Sequence, residues 1–171
     1  VMSKPTSLTG VVPASVTPFD DRGKADGEAL LRLLRWNMAQ GAESFFIGGS
    51  SAECFLLTYG ERVQMFMAAA ELKDEVFLTA RVGAIGTDEA VGFAREAAAL
   101  GFDAIAATPP FYYGFGSREV YAYYADIAQA AGMPVLIYNF PGNTHRPFNL
   151  SDPVTQKLFK SDFIMGVKHT N

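Results

Sequence analysis

Lys168 closes a short apolar run, Phe163-Ile164-Met165-Gly166-Val167, so a strand there carries an amine at its C-terminal end with the alkyl stem among apolar neighbours. Apolar surroundings favour the uncharged form of an amine, and a neutral amine is the nucleophile that attacks a ketone to form an imine. Tyr138 ends a second such run in Ile-Tyr-Asn-Phe-Pro, one strand away from Lys168. A phenol there can carry protons to and from a carbinolamine or an aldehyde oxygen. A third run leads into Gly48-Gly49-Ser50-Ser51-Ala52-Glu53, whose backbone N–H groups and two hydroxyls suit an anion such as a keto-acid carboxylate. A fourth is followed by Pro109-Pro110-Phe111-Tyr112-Tyr113, which brings two phenols to the same kind of place. Taken singly, a strand-end lysine usually reaches solvent and a Gly-Gly-Ser-Ser loop is usually only a turn. Their joint occurrence at the ends of four strands is what points to chemistry. Cys54 and His169 are read as structural: a thiol nucleophile needs a positioned base, and His169 alternates away from Lys168 and should face the helices.

The elements that must position these groups follow a simple grammar. Runs rich in Val, Ile and Phe at 11–16, 43–48, 76–83, 103–107, 134–139 and 163–168 read as strands. Between them lie five amphipathic stretches. Gly27–Gln40 has Leu30, Leu31, Leu33, Leu34 and Met38 at helical spacing with Gly41 as a stop, and Thr87–Leu100, Ser117–Ala131 and Leu150–Phe159 follow the same rule. The count is β(αβ)×5, the order of a parallel sheet. Strands apolar on both faces imply a sheet covered all round or closed on itself. A doubly wound sheet would advertise a Gly-rich turn after its first strand, whereas this turn reads Thr17-Pro18-Phe19-Asp20. A (β/α)8 TIM barrel instead places its chemistry at the C-terminal ends of several strands, where these residues fall. The expectation is one incomplete barrel over 1–171, with about six strands and five helices, the last two strands and C-terminal helices lying outside the sequence.

Composition narrows the function classes. The 171 residues are 49% hydrophobic, room for one sizeable core, and carry a net charge of −4 with no basic stripe, so nucleic acid is not an expected partner. A single cysteine makes no internal disulfide, and His145 and His169, the only histidines, form no cluster with metal-ligand spacing, so no metal is expected. No stretch reaches the roughly 20 apolar residues that span a bilayer. The expected setting is the cytoplasm, with no membrane segment.

In order, Thr17-Pro18-Phe19, Gly48-Gly49-Ser50-Ser51-Ala52-Glu53, Thr108-Pro109-Pro110-Phe111-Tyr112-Tyr113, Tyr138-Asn139-Phe140-Pro141 and Gly166-Val167-Lys168 resemble the dihydrodipicolinate synthase/N-acetylneuraminate lyase family across nearly the whole chain. The resemblance implies a (β/α)8 barrel with a C-terminal helical extension, in a family of usual tetramers built from dimers and so a homo-oligomer here, dimer or tetramer, that binds pyruvate as a Schiff base without metal or cofactor and joins it to, or cleaves it from, an aldehyde. It implies Lys168 as the imine-forming lysine, Tyr138 as the proton carrier, and Ser50 and Ser51 as the carboxylate-binding pair. Tyr112 matches the aromatic that completes a proton relay across a dimer interface in the synthases. Departures concern the second substrate. The synthases have an arginine for the aldehyde's carboxylate where this chain has Asn143, with Arg146 three residues on. Lys168-His169-Thr170 resembles the sialic acid lyases, in which the threonine faces the site. Ala52 replaces a glycine usual before Glu53. A sugar-acid lyase is therefore the first expectation. A dihydrodipicolinate synthase or another keto-acid aldolase or dehydratase follows, and a non-catalytic keto-acid-binding regulator is the alternative from another class.

Overall fold

The structure, a computed structural model, describes residues 4–170. Its chain groups into two compact units, residues 1–81 with 99–103 and residues 82–98 with 104–171.

The first unit is built on two parallel strands, β1 (Ser44–Ile47) and β2 (Phe77–Arg81), paired from Ser44↔Phe77 to Ile47↔Ala80. All nine residues are buried, six of them apolar, with Ser44, Thr79 and Arg81 the buried polar exceptions. Helix α1 (Gly27–Ala39) starts where the Asp26 carboxylate accepts the Ala29 N–H at 2.9 Å, and it stops at Gly41, whose φ of +97° a side chain would resist. Leu30 and Leu34, one turn apart, are its buried face, each worth about 1.5–3 kcal/mol of burial. Helix α2 (Tyr59–Ala70) opens on a capping box. The Thr58 hydroxyl accepts the Glu61 N–H at 3.3 Å, while the Glu61 carboxylate accepts the Thr58 N–H at 2.9 Å and hydroxyl at 2.8 Å. Those Thr58 donors, the N–H foremost, hold the Glu61 carboxyl below its ordinary pKa. Phe66 of α2 is fully buried and meets the Phe102 ring edge-on at 5.5 Å.

The strand expected at 11–16 is not formed. Only Ala14 makes a parallel bridge, to Phe46, with Ser15 N–H donating to Phe46 O and Phe46 N–H to Pro13 O. Pro13 has no N–H to extend the ladder, and Val11 and Val16 are left exposed. The Thr17–Asp20 turn that follows is closed by Asp20 N–H to Lys24 O and Asp26 N–H to Pro18 O.

The second unit holds three parallel strands in chain order, β3 (Ala104–Ala107), β4 (Val135–Asn139) and β5 (Ile164–His169). Helix α3 (Thr87–Leu100) buries Ala90, Phe93, Ala94 and Ala97, and α4 (Ser117–Ala131) buries Val120, Tyr123, Tyr124 and Ile127, both at i, i+3, i+4, i+7 spacing. Adjacent phenols of α4 hold backbone groups of Ala107 and Ala84. Tyr124 donates to Ala107 O at 2.8 Å, and Tyr123 donates to Ala84 O at 2.9 Å while accepting the Ala84 N–H at 3.0 Å. Two further helices, α5 (Pro141–Thr144) and α6 (Pro153–Phe159), lie between β4 and β5. Asp152 caps α6, and the Thr155 N–H it accepts at 2.8 Å holds its carboxyl below the ordinary value. Five of the six expected strands are thus present within one or two residues of their expected bounds.

Candidate active site

β4 and β5 begin in register at Val135↔Ile164, but the next pair is Leu136↔Gly166, so Met165 is an extra residue on β5. Without it the count would set Val167 opposite Tyr138. With it the rungs are Tyr138↔Lys168 and then Asn139↔His169. A bulge of this kind re-aims the side chains beyond it.

The Lys168 amine lies 3.6 Å from the centre of the Tyr138 ring and 3.3 Å from the Thr170 hydroxyl. Lys168 is half-buried and Tyr138 is buried at 4% exposure. Phe140 stacks with Tyr138, at 5.8 Å and 23° between planes. Lys168, Tyr138 and Thr170, named separately from the sequence, therefore form one cluster. It combines an amine, a phenol and a hydroxyl at the C-terminal end of neighbouring strands. The expected alternation along β5 also holds, with Lys168 half-buried and His169 exposed.

Phe140 also opens α5. Its carbonyl accepts the N–H groups of Asn143 and Thr144 and the Thr144 hydroxyl, the last at 3.0 Å, so the chain turns sharply after Tyr138. The turn ends on His145 at φ +50°, and Tyr112 in the loop after β3 is likewise left-handed at φ +78°. Strained backbone of this kind persists only where the surroundings impose it. Both residues line one cavity of about 490 Å³, together with Phe111, Tyr113, Asn143 and Arg146. The structure thus brings Tyr112 and Asn143 together. Tyr112 is 83% exposed and rests edge-on against Tyr113 at 5.0 Å.

Ser50 and Ser51 belong to the first unit. They occupy a single 3-10 turn, Ser50–Ala52, with both residues exposed. The turn is held from below by the Thr17 hydroxyl, which donates to Ala52 O at 2.8 Å inside the core. Positive φ falls on Gly48 (+73°) and Glu53 (+55°) rather than on Ala52, so the alanine at 52 meets no backbone penalty. A Cβ at Gly48 would stand 3.2 Å from the Phe66 ring. Cys54, two residues on, is free and buried. Among the described residues no group of three or more His, Cys, Asp and Glu could hold a metal ion, and no helix is long and apolar enough to cross a membrane.

Of two groups next to the cluster, His169 is read from the sequence as structural and Asn139 is given no role. Asn139 Nδ2 lies 2.9 Å from His169 Nδ1, on the rung after Tyr138↔Lys168. The pairing of their two strands was the available signal, but the bulge that sets them opposite one another has none in the sequence.

The sequence profile of the dihydrodipicolinate synthetase family matches residues 7–171. The chain belongs to that family. Among curated relatives in the family it is 44% identical over 136 residues to the N-acetylneuraminate lyase of Citrobacter koseri, which covers 78% of this chain and 46% of the relative. Its identity to the N-acetylneuraminate lyase of Salmonella agona is 40% over 137 residues, 79% of this chain and 46% of the relative. The chain thus spans about half the length of the curated relatives it matches. Among solved structures, CdNal from Clostridium difficile in complex with mannosamine superposes with a TM-score of 0.90 at 32% identity, covering 96% of this chain and 57% of that one. The N-acetylneuraminate lyase of Fusobacterium nucleatum gives 0.87 at 31% identity, with coverages of 96% and 56%. The α/β class of parallel strand–helix units expected from the sequence, that of the (β/α)8 barrels, is the fold of these relatives.

Proposed function

We propose that this chain carries the imine-forming part of a pyruvate-dependent aldolase or lyase, closest to the N-acetylneuraminate lyases. The observation that carries the reading is the Lys168 amine set 3.6 Å over the Tyr138 ring and 3.3 Å from the Thr170 hydroxyl. In this reading the Lys168 nitrogen attacks the keto carbon of a 2-keto acid, and the carbinolamine loses water to give an iminium. The iminium accepts the electron pair released when the bond to the aldehyde portion breaks, and reprotonation and hydrolysis return pyruvate and the lysine. Tyr138 carries the protons of these steps, and Tyr112 assists the transfer. Thr170 and Asn143 contact substrate. The exposed hydroxyls of Ser50 and Ser51 take the carboxylate. The substrate is held covalently on Lys168, so no cofactor enters the chemistry.

The lyase reading stands ahead of the dihydrodipicolinate synthase reading because position 143 offers an amide and no guanidinium, and because the 40–44% identical relatives are named as lyases. Borohydride reduction in the presence of pyruvate should add the mass of a reduced pyruvyl group to the peptide containing Lys168. A folded full chain that takes no adduct would end the reading.

A further inference from the structure

One rung beyond Tyr138↔Lys168 the ladder closes on Asn139↔His169, and the Thr170 N–H donates to Asn139 O at 2.9 Å. Side chains join the same rung, with Asn139 Nδ2 2.9 Å from His169 Nδ1. The Asn139 amide oxygen is buried with no hydrogen-bond partner, so the amide is held through its nitrogen end. In that orientation the amide donates and His169 Nδ1 accepts. Leaving a buried amide oxygen unmatched costs stability, so the contact at the nitrogen end is what fixes this side chain.

We propose that Asn139 and His169 are positioning residues, a side-chain clasp that keeps the last rung of β4–β5 closed so that Lys168 stays against Tyr138. Lys168 is one residue from the end of β5, and strand ends open locally at little cost. Opening of the Asn139↔His169 rung would release the Lys168 backbone on one side and let the amine leave the ring. Neither side chain shares the face of Lys168, since side chains alternate along a strand, so the clasp acts through position and touches no substrate. The inference rests on the proposed role of Lys168, and its test has one arm that does not.

The test uses the full chain with His169→Leu, His169→Gln, Asn139→Ala and the Asn139→Ala/His169→Leu double variant. Hydrogen exchange at the Thr170 amide reads the rung itself, and the rate of borohydride-trapped pyruvate adduct reads its consequence. His169→Leu and Asn139→Ala should each speed Thr170 exchange, and slow trapping, by about fivefold, the fold-change of one modest hydrogen bond. The double variant should be no worse than either single change, because the two residues act as one. His169→Gln keeps an acceptor and should restore both rates. Unchanged Thr170 exchange in His169→Leu, a glutamine as poor as the leucine, or effects that add in the double variant would each overturn the clasp. If the unaltered chain takes no adduct, the role of Lys168 fails, and Thr170 exchange alone still decides the clasp.

Discussion

Tyr138 and Lys168 stand opposite each other on one rung of β4–β5, with the amine 3.6 Å from the centre of the phenol ring. The pairing brings the two groups together through backbone register rather than through flexible side chains, which is how a scaffold holds reacting groups in place at low entropic cost. Phe140 stacked with the ring and the Thr170 hydroxyl beside the amine complete the support.

Two substitutions separate the roles proposed for this pair. Lys168→Ala should abolish the pyruvate adduct while leaving the melting temperature nearly unchanged, because the side chain is half-buried. Tyr138→Phe keeps the ring under the amine and removes only the hydroxyl. It should leave the KM for keto acid close to that of the unaltered chain and lower kcat by about 10²- to 10⁴-fold, the usual worth of a general acid–base group. Steady-state kinetics on the full chain check both, and an unaltered kcat in Tyr138→Phe would remove the phenol from the mechanism.

The turn that presents Ser50 and Ser51 depends on Gly48. At φ +73° an alanine costs about 1–2 kcal/mol from backbone alone, and its Cβ would press on the Phe66 ring at 3.2 Å. Gly48→Ala should therefore destabilise the fold by at least that much in denaturant titration. Ala52→Gly is the control. Position 52 has no positive φ to relieve, so glycine there should bring no gain and lose about 0.5–1 kcal/mol to chain entropy. Stabilisation by Ala52→Gly would contradict the placement of the left-handed residue at Glu53.

The order of elements was legible because buried parallel strands leave largely apolar runs and the helices between them keep i, i+3, i+4 stripes; β1 to β4 each fall within an expected run, and β5 ends one residue past its own. The expected strand at 11–16 had the same apolar signal, yet Pro13 removes a donor from its ladder, and one proline outweighs several valines. Lys168, Tyr138 and Thr170 were legible as a set because strand ends concentrate on one face. The Met165 bulge was not, since an extra residue changes pairing without changing composition. The left-handed Tyr112 and His145 were equally hidden: neither residue type announces positive φ as glycine does, and the surrounding turns impose it.

Acid should loosen the chain at its helix starts. Glu61 and Asp152 are held below their ordinary pKa values, chiefly by the N–H groups of Thr58 and Thr155. A lowered folded-state value means that each carboxylate contributes stability that is complete above its unfolded pKa, around pH 4, and is lost as pH falls through the lower folded value. Thermal melts taken downward from pH 6 should show a steeper loss below pH 4 in the unaltered chain than in Glu61→Gln, whose amide keeps an acceptor but does not titrate. Parallel curves for the two proteins would show that this capping box carries no acid sensitivity.

Asn143 tests the choice of second substrate. It lines the cavity of about 490 Å³ with Tyr112, His145 and Arg146, and its amide offers no bidentate partner to a carboxylate. If an aldehyde without a carboxylate is the natural partner, Asn143→Arg should leave the KM for pyruvate unchanged, since the keto acid is held at Lys168. For an aldehyde bearing a carboxylate, the new guanidinium should lower KM by about tenfold, the worth of one charge-assisted bond. The comparison is made on the full chain with a neutral sugar aldehyde and an acidic aldehyde side by side. Preference for the acidic aldehyde in the unaltered protein would shift the assignment to Arg146, which also lines the cavity, and would set the lyase reading behind the synthase one.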